Sequence, residues 1–475
     1  MKELLKHKDI SFEKVENAIA VTNPYNLEVL AYVKKTSVSE LEEIIKSSQI
    51  AQKNWREKTA LQRADILYKW YELMKKHKES LAKIMTLEQG KSINEARGEV
   101  DYSASFIRWF AEEARRVDGD ILTSVRNDQK LLVTKEPIGV TAAITPWNFP
   151  SAMISRKAAP ALAAGCSMIL KPASQTPLSA YALANLAYEA GVDENLFVVI
   201  NGSASQISKC FCDSKIVKKI SFTGSTEVGM LLYEQSAKTM KKLSLELGGN
   251  APFIVFDDTN LDKAVDGILA SKFRNSGQTC VCANRIYVQE GIYDKFSQMI
   301  AKAVAKLEVG DGLKESTKQG PLIDEKAVLK VEEHIKDALN KGAKCLLGGK
   351  THKLGGTFFE PTVLQDVTQD MLVAQEETFG PLCPIFKFQT DEEVVEFANN
   401  TDFGLASYIF TTSVSRQFKI SQALEYGMVG VNTGAISNEV APFGGVKFSG
   451  LGREGSKYGI DEYTQLKYTC LDIGE

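Results

Sequence analysis

Histidine is scarce in this sequence. There are only four, His7, His77, His334 and His352, in 475 residues, and none lies near a glycine-rich turn or another candidate ligand. A catalytic Ser-His-Asp or Cys-His pair is therefore hard to build, and metal sites that need several histidines are excluded. We expect no metal site, and any nucleophile must be activated by something other than imidazole.

Long apolar runs, excess basic charge and cysteines are also scarce. No window approaches about 18 uninterrupted apolar residues, and residues 1–8 lack the apolar core of a signal peptide. Lys and Arg total 57 against 60 Asp and Glu, which argues against nucleic acid as a partner. Eight cysteines are too few for a disulfide framework. We therefore expect reduced thiols, a cytoplasmic location and no membrane partner.

Three helices followed by a hairpin are predicted between residues 41 and 138. The amphipathic period predicts helices over 41–53, 60–86 and 96–117. Alternating residues 121–125 and 130–135 predict an exposed β-hairpin. Residues 464–471 alternate too and are expected to add an edge strand.

The rest of the chain predicts two series of alternating strands and helices. The first has strands at 139–145, 167–170, 197–200, 220–222 and 243–247, with helices at 151–164, 176–190, 204–210 and 226–238. The second has strands at 252–256, 382–389, 407–411 and 428–432, with helices at 261–273, 291–307, 324–341 and 391–399. Such βαβ series fold as doubly wound parallel sheets, whose ligands bind at the carboxyl ends of strands.

Three loops that follow predicted strands carry groups suited to binding a ligand. Asn148 lies in a loop with a proline on each side, which can fix the position of its carboxamide. The carboxamide N–H could then donate a hydrogen bond to a developing oxyanion. Lys171 could meet a ribose or a phosphate, and Gly224-Ser225 opens a helix whose N-terminus favours negative charge. Each is a weak signal alone, and in isolation an ordinary turn is the better explanation of Asn148 and a surface lysine that of Lys171.

Glu246 and Cys280 are the strongest candidates for chemistry. Glu246 ends an apolar strand, where a carboxylate is costly unless it is paired or functional. Cys280 follows a glycine turn, whereas most lone cysteines are inert core residues. Because no histidine is near, a helix terminus or a cofactor charge would have to lower the pKa of the Cys280 thiol.

Taken together, these motifs resemble the aldehyde dehydrogenase superfamily. The resemblance rests on the segments 146–150, 171–173, 222–225, 246–249, 277–280, 377–381 and 442–447, which occur in family order. Segments 109–113, 280–285, 436–442 and 449–459 further resemble succinate-semialdehyde dehydrogenases. The resemblance implies an α/β fold of two doubly wound domains plus a small β oligomerisation hairpin.

The resemblance implies a covalent mechanism. The Cys280 thiolate would attack the aldehyde, and Asn148 would hold the oxyanion together with the backbone N–H of Cys280. After hydride transfer, Glu246 would activate the water that hydrolyses the thioester. Acyl transfer to coenzyme A is less favoured because Glu246 is present, and a non-catalytic relative is disfavoured because all three catalytic positions are intact.

The resemblance also implies binding residues. The cofactor positions are Pro146, Trp147, Lys171, Ser174, Gly224, Ser225, Leu247, Glu377 and Phe379. Many NAD-specific relatives have Glu where Ser174 stands, so NADP is favoured and NAD stays open. Arg156, Arg274 and Ser437 match the positions that bind the substrate carboxylate. Succinic semialdehyde is the predicted substrate, with glutaric semialdehyde or a broader range of aldehydes as the alternative.

Two further expectations concern regulation and assembly. Cys282 follows the nucleophile by two residues and could form a reversible disulfide with it, although a simple packing role is about as plausible. A homodimer or homotetramer is expected through 121–138 and 455–475. Residues 1–120 with 139–247 are assigned to dinucleotide binding, and 248–440 to the catalytic domain.

Overall fold

The computed structural model describes residues 2–474. Its α-helices there are α1 (Val38–Arg56), α2 (Ala60–Lys76), α3 (Lys78–Gln89), α4 (Ile93–Glu113), α5 (Ala152–Ala164), α6 (Pro177–Ala190), α7 (Ala204–Asp213), α8 (Thr226–Ser236), α9 (Leu261–Lys272), α10 (Tyr293–Val304), α11 (Glu325–Asn340), α12 (Leu372–Gln375), α13 (Asp391–Asn399), α14 (Val414–Ala423) and α15 (Ser456–Asp461). Its strands are β1 (Ile10–Ser11), β2 (Ile19–Thr22), β3 (Val29–Val33), β4 (Asp120–Leu122), β5 (Gln129–Pro137), β6 (Val140–Ile144), β7 (Ser167–Lys171), β8 (Phe197–Val199), β9 (Val217–Thr223), β10 (Lys242–Glu246), β11 (Ala251–Val255), β12 (Ala283–Gln289), β13 (Lys344–Leu347), β14 (Thr362–Val367), β15 (Leu382–Phe388), β16 (Phe403–Gly404), β17 (Ala406–Phe410), β18 (Met428–Val431), β19 (Val446–Lys447), β20 (Gly450–Leu451) and β21 (Thr464–Asp472).

The first doubly wound unit is a six-stranded sheet of order β20-β10-β9-β6-β7-β8. Strands β6 to β10 run parallel to their neighbours, and only β20 is antiparallel. The apolar runs predicted from the sequence form these strands because helices cover both faces of the sheet. The strands end at Ile144, Lys171, Thr223 and Glu246, so the predicted functional loops leave from the same edge.

The second doubly wound unit is a seven-stranded sheet of order β13-β14-β15-β12-β11-β17-β18. All of its pairs are parallel except β13 with β14. The sequence analysis did not predict β12, β13 or β14. Strand β12 carries Asn284 and Arg285 within an apolar run, which hides its strand pattern. Residues 251–431 supply this sheet, and the domain boundaries at 248 and 440 stay a prediction.

A third sheet confirms the predicted hairpin and terminal strand. Strands β4, β5 and β21 form an antiparallel sheet of order β21-β5-β4. Strand β21 pairs with β5 along its whole length, from Thr464 opposite Pro137 to Asp472 opposite Gln129. Apolar side chains stay exposed on this sheet, including Leu466 at 70%. Helix α15, by contrast, packs inward on α4 and α5.

The N-terminal region differs from the prediction in two respects. The single helix predicted over 60–86 is two helices, α2 and α3, because the backbone leaves helical geometry at His77 (φ −99°, ψ 16°). Strands β1, β2 and β3 form a small antiparallel sheet that the sequence analysis did not predict. In residues 2–474 no helix is long and apolar enough to cross a membrane.

Candidate active site

Nine of the predicted site residues line one cavity of about 240 Å³ between the two large sheets. They come from the carboxyl ends of β6, β9 and β10 and from loops of the second unit. The cavity is lined by Pro146, Trp147, Asn148, Thr223, Gly224, Ser225, Leu247, Gly248, Cys280, Glu377 and Phe379. The predicted nucleophile, the predicted oxyanion donor and most of the predicted cofactor residues therefore share one space.

The Cys280 loop approaches the rest of the site only because glycines stand at two positions. Gly277 has φ +76°, and a Cβ there would lie 2.1 Å from the carbonyl oxygen of Gly380. At Gly249 a Cβ would lie 2.7 Å from the carbonyl oxygen of Cys280. A side chain at either position would push the Cys280 loop away from its neighbours.

The Cys280 thiol needs help to ionise in this setting. Burial raises its pKa to about 12, and the positive charge of Arg156 acts in the opposite direction. The thiolate is the nucleophilic form of cysteine. A group that accepts the thiol proton, or a positive charge brought in by a ligand, is therefore required for attack at neutral pH.

Hydrogen bonds hold both the side-chain carboxamide and the backbone carbonyl of Asn148. Its Nδ2 donates to the carbonyl oxygen of Gln278 (3.1 Å), and its Oδ1 accepts from the backbone N–H of Phe149 (3.1 Å). Its own carbonyl oxygen accepts from Lys91 Nζ (2.7 Å) and from Asn275 Nδ2 (3.0 Å). The carboxamide is thus fixed beside the segment that carries Cys280.

The sequence analysis missed the buried ion pair behind this loop. Lys91 pairs with Glu99, and both side chains are 1% exposed. Glu99 also accepts from the backbone N–H groups of Ser151 (2.9 Å) and Ala152 (3.2 Å). Charged residues normally face water, so no local signal marks Lys91, between α3 and α4, or Glu99, on α4, as inward-facing.

Glu246 is a buried carboxylate at the end of β10. Neither of its carboxylate oxygens has a hydrogen-bond partner in the part of the chain that the structure describes. Burial raises the pKa of Glu246 well above its usual value, and the nearby Glu454 carboxylate adds to the effect. A carboxyl group with a raised pKa is suited to take a proton from a thiol or a water molecule.

Arg156 does not join the predicted substrate residues. Its guanidinium lies 2.7 Å from the Glu454 carboxylate and 3.9 Å from the centre of the Phe443 ring, and its side chain is 1% exposed. It lines neither this cavity nor the next one. Arg156 therefore belongs to a buried ion pair, and its contact with a substrate carboxylate stays a prediction.

Arg274 and Ser437 line a second cavity of about 300 Å³. It lies on the other side of the Asn148–Phe149 segment and is lined by Lys91, Glu95, Gly98, Glu99, Tyr102, Phe149, Arg274, Asn275 and Ser437. Arg274 is half-buried and its guanidinium lies 4.7 Å from the centre of the Phe149 ring. Among residues 2–474, no carboxylate lies within ion-pair distance of it.

Comparisons with known proteins agree with this arrangement. The family model described as "Aldehyde dehydrogenase family" matches residues 11–469. Succinate-semialdehyde dehydrogenase [NADP(+)] GabD of Escherichia coli K12 is 59% identical, over 96% of this chain and 95% of its own. Glutarate-semialdehyde dehydrogenase of Pseudomonas putida is 58% identical, over 96% and 94%.

The solved structures agree with the sequences. Succinate-semialdehyde dehydrogenase from Burkholderia pseudomallei superposes with a TM-score of 0.97 at 54% identity, covering 99% of both chains. The chain belongs to the aldehyde dehydrogenase family. This membership confirms the predicted fold of two doubly wound α/β units with a small β sheet, and it confirms that the protein is an oxidoreductase.

Two predicted cofactor residues of this aldehyde dehydrogenase, Lys171 and Ser174, are not among the residues that line the first cavity, whereas Glu377 is. Lys171 ends β7 and is buried, its Nζ donates to the carbonyl oxygen of Pro172 (3.0 Å), and burial lowers its pKa. Ser174 is half-buried in the loop that follows. Glu377 accepts from the backbone N–H of Gly249 (3.3 Å), and burial raises its pKa to about 7.

Cys282 is buried and packs against α9. Its Sγ accepts a hydrogen bond from Lys272 Nζ (3.3 Å), and it is a free thiol, as is Cys280. Burial raises the pKa of the Cys282 thiol. A disulfide with Cys280 would require Cys282 to leave Lys272, so the regulatory disulfide stays a prediction.

Proposed function

We propose that this aldehyde dehydrogenase oxidises succinic semialdehyde to succinate, with NADP as the preferred cofactor and Cys280 as the nucleophile. One observation carries the proposal. Cys280 and Asn148 share a cavity with the predicted cofactor residues, and the unpaired guanidinium of Arg274 lies in the cavity next to it. Relatives named for this reaction and for NADP support it.

The first step is attack of the Cys280 sulfur on the aldehyde carbon. The Cys280 thiol first gives its proton to solvent water, and the positive charge of Arg156 favours the thiolate that remains. The carbonyl oxygen then becomes an oxyanion, and Asn148 Nδ2 is placed to donate to it together with the Cys280 N–H. Removing one such donor typically costs about 10²–10³ in rate.

The second half of the reaction converts the thiohemiacetal on Cys280 into a thioester and then into the acid. When bound, the nicotinamide dinucleotide supplies the acceptor for the hydride. Glu246 then takes a proton from a water molecule that attacks the thioester carbon, and Cys280 leaves as the thiolate. The covalent route divides a difficult oxidation into two easier steps.

The residues around the first cavity fit a dinucleotide. Ser225 caps helix α8 by accepting from the backbone N–H of Val228 (3.4 Å), so a helix N-terminus faces this region and favours a phosphate. Gly224 is needed because a Cβ there would lie 2.4 Å from the Phe222 ring. Trp147 and Phe379 meet edge to face at 5.6 Å and offer an apolar wall.

Two residues support NADP over NAD in particular. We propose that Lys171 and Ser174 bind the adenosine ribose and its 2′-phosphate. Ser174 carries no negative charge that would repel a phosphate, and Lys171 has a single hydrogen bond to the protein, to a backbone carbonyl. Glu377 would bind the hydroxyls of the other ribose.

Glutaric semialdehyde is the second candidate substrate. It carries the same terminal carboxylate with one more methylene, and a glutarate-semialdehyde dehydrogenase is 58% identical to this chain. A hydrophobic pocket discriminates one methylene by only about 10–200-fold, so both compounds can be turned over. The length of the path between Cys280 and Arg274 decides which is preferred.

The direct test is a substrate and cofactor panel. Succinic semialdehyde, glutaric semialdehyde and butanal are assayed with NADP and with NAD, following formation of the reduced cofactor. We expect the highest kcat/KM for succinic semialdehyde with NADP. Equal kcat/KM for butanal would contradict recognition of a carboxylate, and a higher kcat/KM with NAD would contradict the cofactor assignment.

We further propose that the protein is a cytoplasmic homodimer or homotetramer. The sheet formed by β4, β5 and β21 has exposed apolar side chains and a free edge at β21, and such an edge favours pairing. All eight cysteines are free thiols, which is consistent with a reducing compartment.

A further inference from the structure

The second cavity contains a phenol that the proposed mechanism does not use. Tyr102 lies on α4 and lines this cavity together with Arg274 and Ser437. Its hydroxyl oxygen is buried and has no hydrogen-bond partner within residues 2–474. An unsatisfied buried hydroxyl is costly, so a ligand that accepts a hydrogen bond from it would be bound more tightly.

The Tyr102 ring is held in a fixed position. It meets the Phe106 ring edge to face, with 5.0 Å between the centroids and 78° between the planes. It also packs against the cluster formed by Phe149, Ala152 and Met153. Because the ring is confined on both sides, its hydroxyl is oriented before a substrate arrives.

The groups around Tyr102 that are free to bind are donors. Arg274 has no carboxylate partner among the described residues, and Ser437 lies close to the Tyr102 hydroxyl without a hydrogen bond of normal geometry. The positive charges of Arg156 and Arg274 both act on Tyr102. Burial raises the pKa of Tyr102, so the phenol remains protonated and can donate at neutral pH.

The two carboxylates that line the cavity are already occupied. Glu95 accepts from the backbone N–H of Asn275 (2.7 Å). Glu99 pairs with Lys91 and accepts from the backbone N–H of Ser151. Both carboxylates therefore already have partners, whereas the Tyr102 hydroxyl has none within residues 2–474.

We propose that Tyr102 is a specificity-determining residue whose hydroxyl donates a hydrogen bond to the carboxylate of the aldehyde substrate, beside Arg274 and Ser437. The substrate carboxylate would accept from the Tyr102 hydroxyl, which has no partner within residues 2–474. Three donors from α4, from the segment before Cys280 and from the loop at 437 would then fix the far end of the substrate. This proposal rests on the proposed function, since it requires an acid-semialdehyde.

The test is Tyr102→Phe, which removes only the hydroxyl. Steady-state rates are measured with saturating NADP for succinic semialdehyde and for butanal, which has the same chain length and no carboxylate. We expect KM for succinic semialdehyde to rise about tenfold or more, as for a lost hydrogen bond to a charged group. We expect kcat to stay within about twofold and KM for butanal to stay unchanged.

The matched control is Tyr68→Phe, which removes a phenol that donates to Glu112 on the surface and should change neither KM. An unchanged KM for succinic semialdehyde in Tyr102→Phe, or an equal rise for both aldehydes, would overturn the proposal. The ratio of the KM for succinic semialdehyde to the KM for butanal does not depend on the amount of folded enzyme. It therefore tests the proposal even if the variant is less stable. Failure of the wild-type protein to prefer succinic semialdehyde would instead overturn the proposed function.

Discussion

At the scale of single residues, the site depends on charged and reactive groups that are buried with few partners. Cys280 and Glu246 both have raised pKa values because they are removed from water. Such shifts are typical of functional sites. The same burial that disfavours the thiolate makes the Glu246 carboxylate a stronger base, which suits it to take a proton from water.

The raised pKa of Glu246 predicts a pH dependence. A base acts only when it is deprotonated. Because the pKa of Glu246 is raised, acidification should protonate it, and so lower kcat, at a higher pH than for an ordinary carboxyl group. We expect kcat to fall on acidification with an apparent pKa well above 4.5. The measurement is a pH profile of kcat for the wild type and for Glu246→Gln.

Glu377→Gln is the control, because burial raises the pKa of Glu377 to about 7. We expect the acidic limb to persist in Glu377→Gln and to disappear, at a much lower rate, in Glu246→Gln. An acidic limb that survives in Glu246→Gln would assign the titration to another group.

Ser174 predicts the cofactor preference. Ser174→Glu places a carboxylate where the 2′-phosphate of NADP is proposed to bind, and like charges repel. We expect kcat/KM for NADP to fall at least about tenfold and the preference to shift toward NAD. Ser174→Ala, which adds no charge, should lower kcat/KM for NADP by less. An unchanged cofactor ratio in Ser174→Glu would place the 2′-phosphate elsewhere.

At the scale of secondary-structure elements, the site is held by contacts between distant parts of the chain. Glu454, which precedes α15, contacts both Arg156 and Lys157 on α5. The three side chains are buried, and α15 packs on α4 and α5. This cluster fixes the C-terminal segment against the helix that follows the Asn148 loop.

Removing the Glu454 charge should therefore destabilise the protein. Glu454→Gln leaves Arg156 and Lys157 buried without their counter-charge, and breaking a buried pair typically costs about 3–5 kcal/mol. We expect a clearly lower thermal midpoint in a calorimetric scan. Glu112→Gln, which breaks the exposed pair with Arg108, should change stability by less than about 1 kcal/mol. Equal midpoints for the wild type and Glu454→Gln would contradict a stabilising role.

The sequence predicted the elements better than the contacts between them. Parallel strands such as β6, β7 and β9 are visible because buried strands are continuously apolar. The ion pair of Arg156 with Glu454 could not be predicted, because the two residues are far apart along the chain. The missing hydrogen-bond partner of the Tyr102 hydroxyl could not be predicted either, because it depends on which distant residues surround Tyr102 in the folded chain.

At the scale of the whole molecule, the two large sheets contribute different residues to the site. The first supplies the predicted dinucleotide site and Glu246, and the second supplies Cys280 and Glu377. The cavity between them exists only when both are folded and packed. The third sheet takes no part in the cavity and leaves apolar side chains on the surface.

That surface predicts how the protein assembles. Leu466 and Tyr468, two residues apart on β21, are 70% and 59% exposed, and neighbouring exposed apolar side chains of this kind mark an interaction surface. We expect a mass of two or four chains by light scattering, and a smaller mass for Leu466→Lys. Leu329→Lys, at a leucine on α11 that is 55% exposed, should keep the wild-type mass. A monomeric wild type would contradict the proposed assembly.

The central claim is that the Cys280 sulfur is transiently acylated, and trapping the acyl group tests it most directly. Glu246→Gln is mixed with succinic semialdehyde and NADP, digested, and examined by mass spectrometry. Because the base for hydrolysis is missing, we predict one succinyl group on the peptide that contains Cys280, together with a single burst of reduced cofactor. Reduced cofactor formed with no acyl group on Cys280, or with an acyl group on another residue, would contradict the account.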